Sequence, residues 1–179
     1  LGMHGKQVHR IALMLWSAPE PGSNSDVLRA AELAALRAHL SRHAPLAEVL
    51  EQSHGLRAVH WPLPQGSAPK VSIIIPTMGR LALITPCIES LLALTQYPNY
   101  EVVILDNGRG KYPDGIQYLR DKQFTVIECN EPFNWARLNN IGVRHASGEL
   151  FLFLNDDIEI TSPDWLGQLV RQALRPEIG

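Results

Sequence analysis

Two adjacent carboxylates, Asp156 and Asp157, follow an apolar run of strand length, Leu150-Phe151-Leu152-Phe153-Leu154, with only Asn155 between. Acids at the end of such a run serve a particular chemistry. In an open α/β sheet, ligands sit in the crevice beyond the carboxyl ends of the strands. Carboxylates there need a cation or hydrogen-bond donors, and a hard divalent ion whose other positions are filled by water and phosphate oxygens meets that need. On these residues alone, a strand running into an acidic surface turn is an equal alternative. Two earlier stretches have the same form. Val71 to Ile75 ends at Pro76-Thr77, and Tyr100 to Leu105 ends at Asp106-Asn107-Gly108. Strands that each terminate in a ligand-capable group imply one shared edge on which Thr77, Asp106 and Asp157 cluster.

The elements that must position these groups are legible as alternating strands and helices. The β-branched run Val71 to Ile75 reads as a buried first strand stopped by Pro76, which cannot donate to a ladder. A helix is expected from about Leu81 to Thr95 with Ile84, Ile88, Leu91 and Leu92 facing the sheet. Pro86 is tolerated only within a first turn, which moves the expected start of ordered helix to Thr85. Tyr100 to Leu105 is the second strand, Gly115 to Lys122 a weaker helix and Thr125 to Cys129 the third strand. A strong helix from Asn134 to Ala146 has Asn134 as N-cap and Gly148 as its C′ glycine. Leu150 to Leu154 then reads as a strand buried on both faces, and a last helix runs from Pro163 or Asp164 to about Leu174. The alternation implies an α/β fold with a mostly parallel sheet, flanking helices and right-handed crossovers.

Composition narrows the classes of function. With 45% hydrophobic residues in 179, the chain can build a core. A formal net charge of -2 gives no large electrostatic footprint for nucleic acid. Cys87 and Cys129 belong to no CxxC pair or Cys/His array, so both are expected as reduced core thiols. The apolar runs are too short to cross a bilayer. No GxGxxG follows a strand, and GxxxxGK[ST], Gly-x-Ser-x-Gly and HExxH are absent. The chain begins at Leu1 and ends at Gly179 like a piece of a longer protein.

Residues 1–69 differ in character from 70–179 and form a separate expected segment. It comprises a short apolar run (Val8 to Trp16) broken by Ser17 to Ser25, a helix over 26–43, a β-hairpin over 47–61 around Ser53-His54-Gly55, and a linker marked by Pro62, Pro64, Gly66 and Pro69. His39 and His43 lie at i, i+4, but with no third ligand nearby they read as a solvated helix end.

Four motifs in order carry a resemblance: Val71-Ser-Ile-Ile-Ile-Pro-Thr77 with Arg80, Val102-Val-Ile-Leu-Asp-Asn-Gly108, Asn140-x-Gly142 with Ala146-x-Gly148-Glu149, and Phe153-Leu-Asn-Asp-Asp157. Together they resemble the family 2 nucleotide-sugar glycosyltransferases, and 70–179 resembles the Rossmann-like, donor-binding half of a GT-A domain, truncated at its C-terminal side. Asp26 to Pro64 is similar to the helix-plus-hairpin segment preceding such domains in large bacterial, rhamnosyltransferase-like chains.

The resemblance implies roles. Pro76 and Thr77, with Arg80, would cradle the nucleoside, and Asp106 would accept a hydrogen bond from the base. Asp157 would hold Mg2+ or Mn2+ as the metal position of a DxD motif. Asp156 would bind ribose or sugar hydroxyls, and Asn155 stands where relatives carry the first acid. Asn134 is a helix cap first and a nucleotide contact second. Gly79, and Arg109-Gly110-Lys111, depart from the pattern. Arg109 and Lys111 read as solvated loop charges, and Trp135 and Trp165 as packing residues.

The implied activity is transfer of a sugar from a UDP- or dTDP-linked donor to a glycan or lipid-linked acceptor, by metal-assisted inverting displacement in bacterial polysaccharide biosynthesis. The catalytic base is expected beyond Gly179, which makes the fragment itself inactive. Dimer formation through its raw edges, and a cytoplasmic location peripheral to the inner membrane face in the full-length protein, belong to the same expectation. The alternative class is a non-catalytic sugar-nucleotide-binding or interdomain adaptor module.

Overall fold

The computed structural model describes residues 25–51, 57–63, 68–175 and 178. The expected strand Val8 to Trp16 and its Pro/Gly/Ser break up to residue 24, the hairpin turn at Ser53-His54-Gly55, and Pro64 to Gly66 lie outside the described residues. The chain groups into two compact units divided after Ala58.

In the first unit, α1 (Ser25–His43) carries Asp26 in its first turn and Arg42 and His43 in its last, each complementing the helix dipole. The strand β1 (Glu48–Glu51) pairs with β2 (Arg57–His60), the strand within which the division falls, in a two-stranded sheet. Arg57 donates to the Glu32 carboxylate at 2.8 Å and to the Arg29 carbonyl at 2.9 Å. The His39 and His43 rings lie 4.5 Å apart.

The second unit is built on four parallel strands in the order β5-β4-β3-β6: β3 (Val71–Thr77), β4 (Tyr100–Asp106), β5 (Thr125–Glu128) and β6 (Leu150–Phe153). The helices are α2 (Leu81–Leu94), α3 (Pro113–Asp121), α4 (Trp135–His145) and α5 (Trp165–Ala173). Alternate faces of β3 feed two cores. Val71, Ile73 and Ile75 join Ile84, Ile88 and Leu91 of α2, while Ile74 joins Leu105 and Leu138 on the α4 side.

Several local expectations are corrected. β3 does not stop at Pro76 but runs through Thr77. Leu154 N donates to Ile74 O, so even-numbered residues of β3 turn their backbone groups toward β6, whose ladder ends at Ile74↔Phe153. The missing N–H of Pro76 therefore falls where no neighbour needs it, and the β4 side continues to Thr77↔Asp106. Helix α2 begins at Leu81 and carries the exposed Pro86 inside it. The buried row Ile84, Cys87, Ile88 and Leu91 holds the helix on the sheet, while Leu92 is exposed.

Gly148 is not a left-handed cap, because Gly79 and Gly110 are the positive-φ glycines among the described residues. Its reason is space: a Cβ there would stand 2.7 Å from Lys70 O and from Ser72 N. Finally, β6 is half-buried rather than covered on both faces. Leu150, Leu152 and Leu154 pack on the core, and Phe151 and Phe153 remain 45% and 48% exposed.

The amino ends of the strands are tied by Glu101. Its carboxylate accepts from Lys70 Nζ at 2.8 Å, Ser72 Oγ at 2.6 Å and Ser147 N at 2.6 Å. Burial pushes the Glu101 carboxyl up, but the hydrogen bonds from Lys70, Ser72 and Ser147 outweigh it and bring it from 4.5 down to about 2. A depressed folded-state value means that the stabilisation is present above the unfolded value and lost as pH falls toward 2. Glu101→Gln is expected to cost about 2 kcal/mol at pH 7, the scale of charge-assisted hydrogen bonds, and much less near pH 2. Urea unfolding at both pH values checks this, and an equal loss at both would contradict it.

Candidate functional site

A crevice of about 400 Å³ opens at the carboxyl ends of the strands, lined by Pro76, Thr77, Met78, Arg80, Leu83, Asn107, Phe133, Trp135, Leu138, Asn155, Asp156 and Asp157. Four chain segments meet there: the ends of β3, β4 and β6, because parallel strands deliver all their carboxyl ends to one edge, and the start of α4. Thr77 is the joint between two of them. Its buried hydroxyl donates to Asp156 Oδ2 at 2.6 Å and accepts from Gly79 N at 2.9 Å. The first bond spans 79 residues of chain and fixes the loop after β6 against the end of β3.

Asp156 is thus oriented, whereas Asp157 is exposed and makes no hydrogen bond or ion pair among the described residues. The field of the acid pair is felt by Cys87, whose buried Sγ lies 3.7 Å from Asn155 O. Burial, then the charge of Asp156 and more weakly that of Asp157, holds this thiol up at about 11.

The same lining includes Arg80, an exposed residue at the N-cap position of α2 with its guanidinium 5.4 Å from the centre of the Tyr112 ring. Lys111 lies 5.5 Å from the same ring, outside the crevice lining. The hydrogen bond from Arg80, and then the two positive charges, holds the Tyr112 hydroxyl below its ordinary value. An acid pair and a cationic residue therefore line one cavity. Arg109 is exposed, with φ 53°, and does not line it.

Of the expected site residues, Pro76, Thr77, Arg80, Asn155, Asp156 and Asp157 come together in the crevice. Asp106 does not join them. It is buried, its Oδ1 accepts from Gly108 N at 2.7 Å, and it lines a second hollow with Gly110, Asp114 and Glu128. Successive side chains at a strand end turn opposite ways, so Asn107 takes the crevice side instead. Both Asn107 amide hydrogens are engaged, by Cys129 O at 2.7 Å and Glu131 O at 2.9 Å, which leaves its carbonyl oxygen as the acceptor. Charge draws attention to Asp106, while the residue that lines the crevice is the polar one following it.

Asn134 caps α4 by accepting from Arg137 N at 2.9 Å and does not itself line the crevice. Its neighbours Phe133 and Trp135 do, and Trp135 is 41% exposed, so it is not the packing residue expected. Trp165 is one, donating from Nε1 to Thr95 Oγ1 at 3.0 Å beside the core.

Among the described residues, no cluster of three or more His, Cys, Asp or Glu side chains forms a cage for a metal ion. The donor set at 155–157 suits instead a hard divalent ion that keeps water and ligand oxygens in most of its positions. No helix among the described residues is long and apolar enough to cross a membrane.

The family model for glycosyl transferase family 2 matches residues 72–178. The O-antigen biosynthesis protein RfbC of Myxococcus xanthus is 38% identical, over 88% of this chain and 12% of its own length. An uncharacterized protein of Sinorhizobium fredii is 35% identical, over 97% of this chain and 20% of its own. The chain thus spans a fifth or less of these relatives. Among solved structures, a mannosyltransferase of Pyrobaculum calidifontis in complex with GDP-Man and Mn2+ superposes with a TM-score of 0.56, at 20% identity over 86% of this chain and 43% of that one, and shares its fold.

Proposed function

The chain belongs to glycosyl transferase family 2, and from that premise we propose that its crevice binds a nucleoside-diphosphate sugar, UDP- or dTDP-linked, as the donor half of a bacterial polysaccharide glycosyltransferase. The observation that carries this reading is the Thr77–Asp156 bond, which orients one acid of the pair and leaves its neighbour Asp157 unengaged in a cavity that also contains Arg80. Asp157 is the residue to hold Mg2+ or Mn2+. A divalent ion bound there supplies charge neutralisation for the departing diphosphate. The mannosyltransferase in complex with GDP-Man and Mn2+ offers the same pairing of ligand and ion on the same fold.

The remaining work falls to the chain's own residues. Thr77 orients Asp156, whose free oxygen would accept from ribose or sugar hydroxyls. Asn155 adds a neutral polar contact, and Pro76 closes the floor. Arg80 is the cationic residue of the lining available to the diphosphate. Asn107, rather than Asp106, reads the base: its carbonyl oxygen accepts from the imide N–H of a uracil or thymine ring, as its donors are already committed. The acceptor, a glycan or a lipid-linked sugar, reacts from the open side by inverting displacement, with its proton removed by a base outside the crevice lining. Asn134 acts through the helix it caps.

Isothermal titration of the chain with UDP and with dTDP, with and without Mn2+, tests the reading. Manganese-dependent binding is the expected result. Absence of binding by the folded chain would contradict it and favour an adaptor.

A further inference from the structure

Phe133 is 70% exposed and Trp135 is 41% exposed, yet both line the crevice and sit in a segment fastened at several points. Asn107 grips the carbonyls of Cys129 and Glu131, Arg137 pairs with the Glu131 carboxylate, and Asn134 caps α4 between the two aromatics. Asn139 Nδ2 donates to Trp135 O at 2.9 Å. Two large apolar rings are thus held in the lining of the crevice, beside its polar groups, by a scaffold that spends hydrogen bonds on keeping them there. Rings left in water without a partner lose the burial that normally stabilises them, and a flat ligand would restore it.

We propose that Phe133 and Trp135 form the stacking wall for the nucleobase of the donor, an inference that rests on the donor-binding reading above. The position relative to Asn107 selects the base over the sugar. Asn107, the neutral acceptor suited to a base edge, anchors the same 129–131 backbone that leads into Phe133, whereas the acid pair suited to hydroxyls and a divalent cation comes from the loop after β6. A planar heteroaromatic ring satisfies both features at once, its edge on Asn107 and its face on the aromatics. Stacking is tolerant of base identity, because every base has a π-face. The wall therefore supplies affinity, and Asn107 supplies discrimination.

The test is titration of the full 179-residue chain with UDP and with uridine in the presence of Mn2+, alongside Phe133→Ala, Phe133→Trp and Trp135→Phe. Phe133→Ala is expected to weaken both ligands by about tenfold, the scale of losing one base–aromatic stack. Phe133→Trp should bind as the parent does. UDP is expected to quench tryptophan emission in the parent, and Trp135→Phe should keep most of the affinity and lose that quenching. Circular dichroism checks that the exposed substitutions leave the fold unchanged. Parent-like affinity of Phe133→Ala for UDP would overturn the stacking wall and leave donor binding standing. A loss seen with a UDP-sugar but not with UDP or uridine would move the wall to the sugar and overturn the assignment. Failure of the parent to bind any of these ligands would overturn both.

Discussion

Asp157→Asn is expected to remove manganese-dependent binding of UDP while leaving the melting temperature of the free chain unchanged or slightly raised. The change keeps the size of the side chain and deletes one charge. Asp157 makes no hydrogen bond or ion pair among the described residues, so nothing in the fold depends on its carboxylate. Removing it also relieves repulsion with Asp156. An ion held by few protein oxygens loses much with one of them, at least the roughly ten- to hundredfold that loss of an outer-shell partner already costs a metal site. Asp156→Asn should behave differently. It removes the charge that strengthens the bond from the Thr77 hydroxyl joining the loop to β3, so it should lower both stability and affinity. Titration and thermal melts on the two variants separate the roles. Equal effects on both readouts would contradict the division of labour between the adjacent acids.

The second large effect is on stability. Gly142→Ala is expected to destabilise the fold by about 3 kcal/mol, the upper range for overpacking a core, and to lower the melting temperature by on the order of 10 °C for a chain of this size. A Cβ at this position would lie 2.4 Å from Cγ2 of Ile74 and 3.2 Å from Cδ1 of Leu105. Both neighbours are fully buried in the centre of the sheet, so neither has room to retreat. Helix α4 would have to lift from β3 and β4, and it carries Trp135 and Leu138 into the crevice. Loss of UDP affinity should accompany the loss of stability. Alanine is otherwise the better helix former, so an unchanged melting temperature would show that α4 does not sit this close to the sheet.

How much of this was readable before the fold was known depends on which physical effect governs each position. The apolar strand runs ending in polar residues were plain, because a buried parallel strand requires them and the crossovers then bring their ends to one edge. The registers Val71↔Tyr100 and Val71↔Leu150 follow that pattern closely. Positions governed by three-dimensional proximity were not readable in the same way. Pro86 argued for a late helix start, yet the buried row from Ile84 to Leu91 holds the first turn in place. Gly148 invited a capping explanation, while the actual constraint is the backbone of Lys70 and Ser72 on a distant strand.

At the site, Asp106 outranked Asn107 because a carboxylate is the stronger chemical cue. The side a residue faces at a strand end depends on the turn that follows, here closed by Asp106 itself through Gly108 N. Trp135 reads as a packing residue in the sequence, since large aromatics usually are, and Phe133 carries no signal of its own. Their exposure emerges only when α4 is seen to enter the crevice by its N-terminus.

The central claim is that the acid pair and the three strand ends hold a metal-bound nucleoside diphosphate in one crevice. Crystals of the chain grown with UDP and Mn2+, with data collected for the anomalous signal of manganese, test it most directly. The expected result is a manganese peak about 2.1 Å from the Asp157 carboxylate, a spacing usual for small hard divalent ions, with the diphosphate beside it and the uracil against Asn107. A manganese peak away from Asp157, or a nucleotide seated in the hollow lined by Asp106, Asp114 and Glu128, would contradict it.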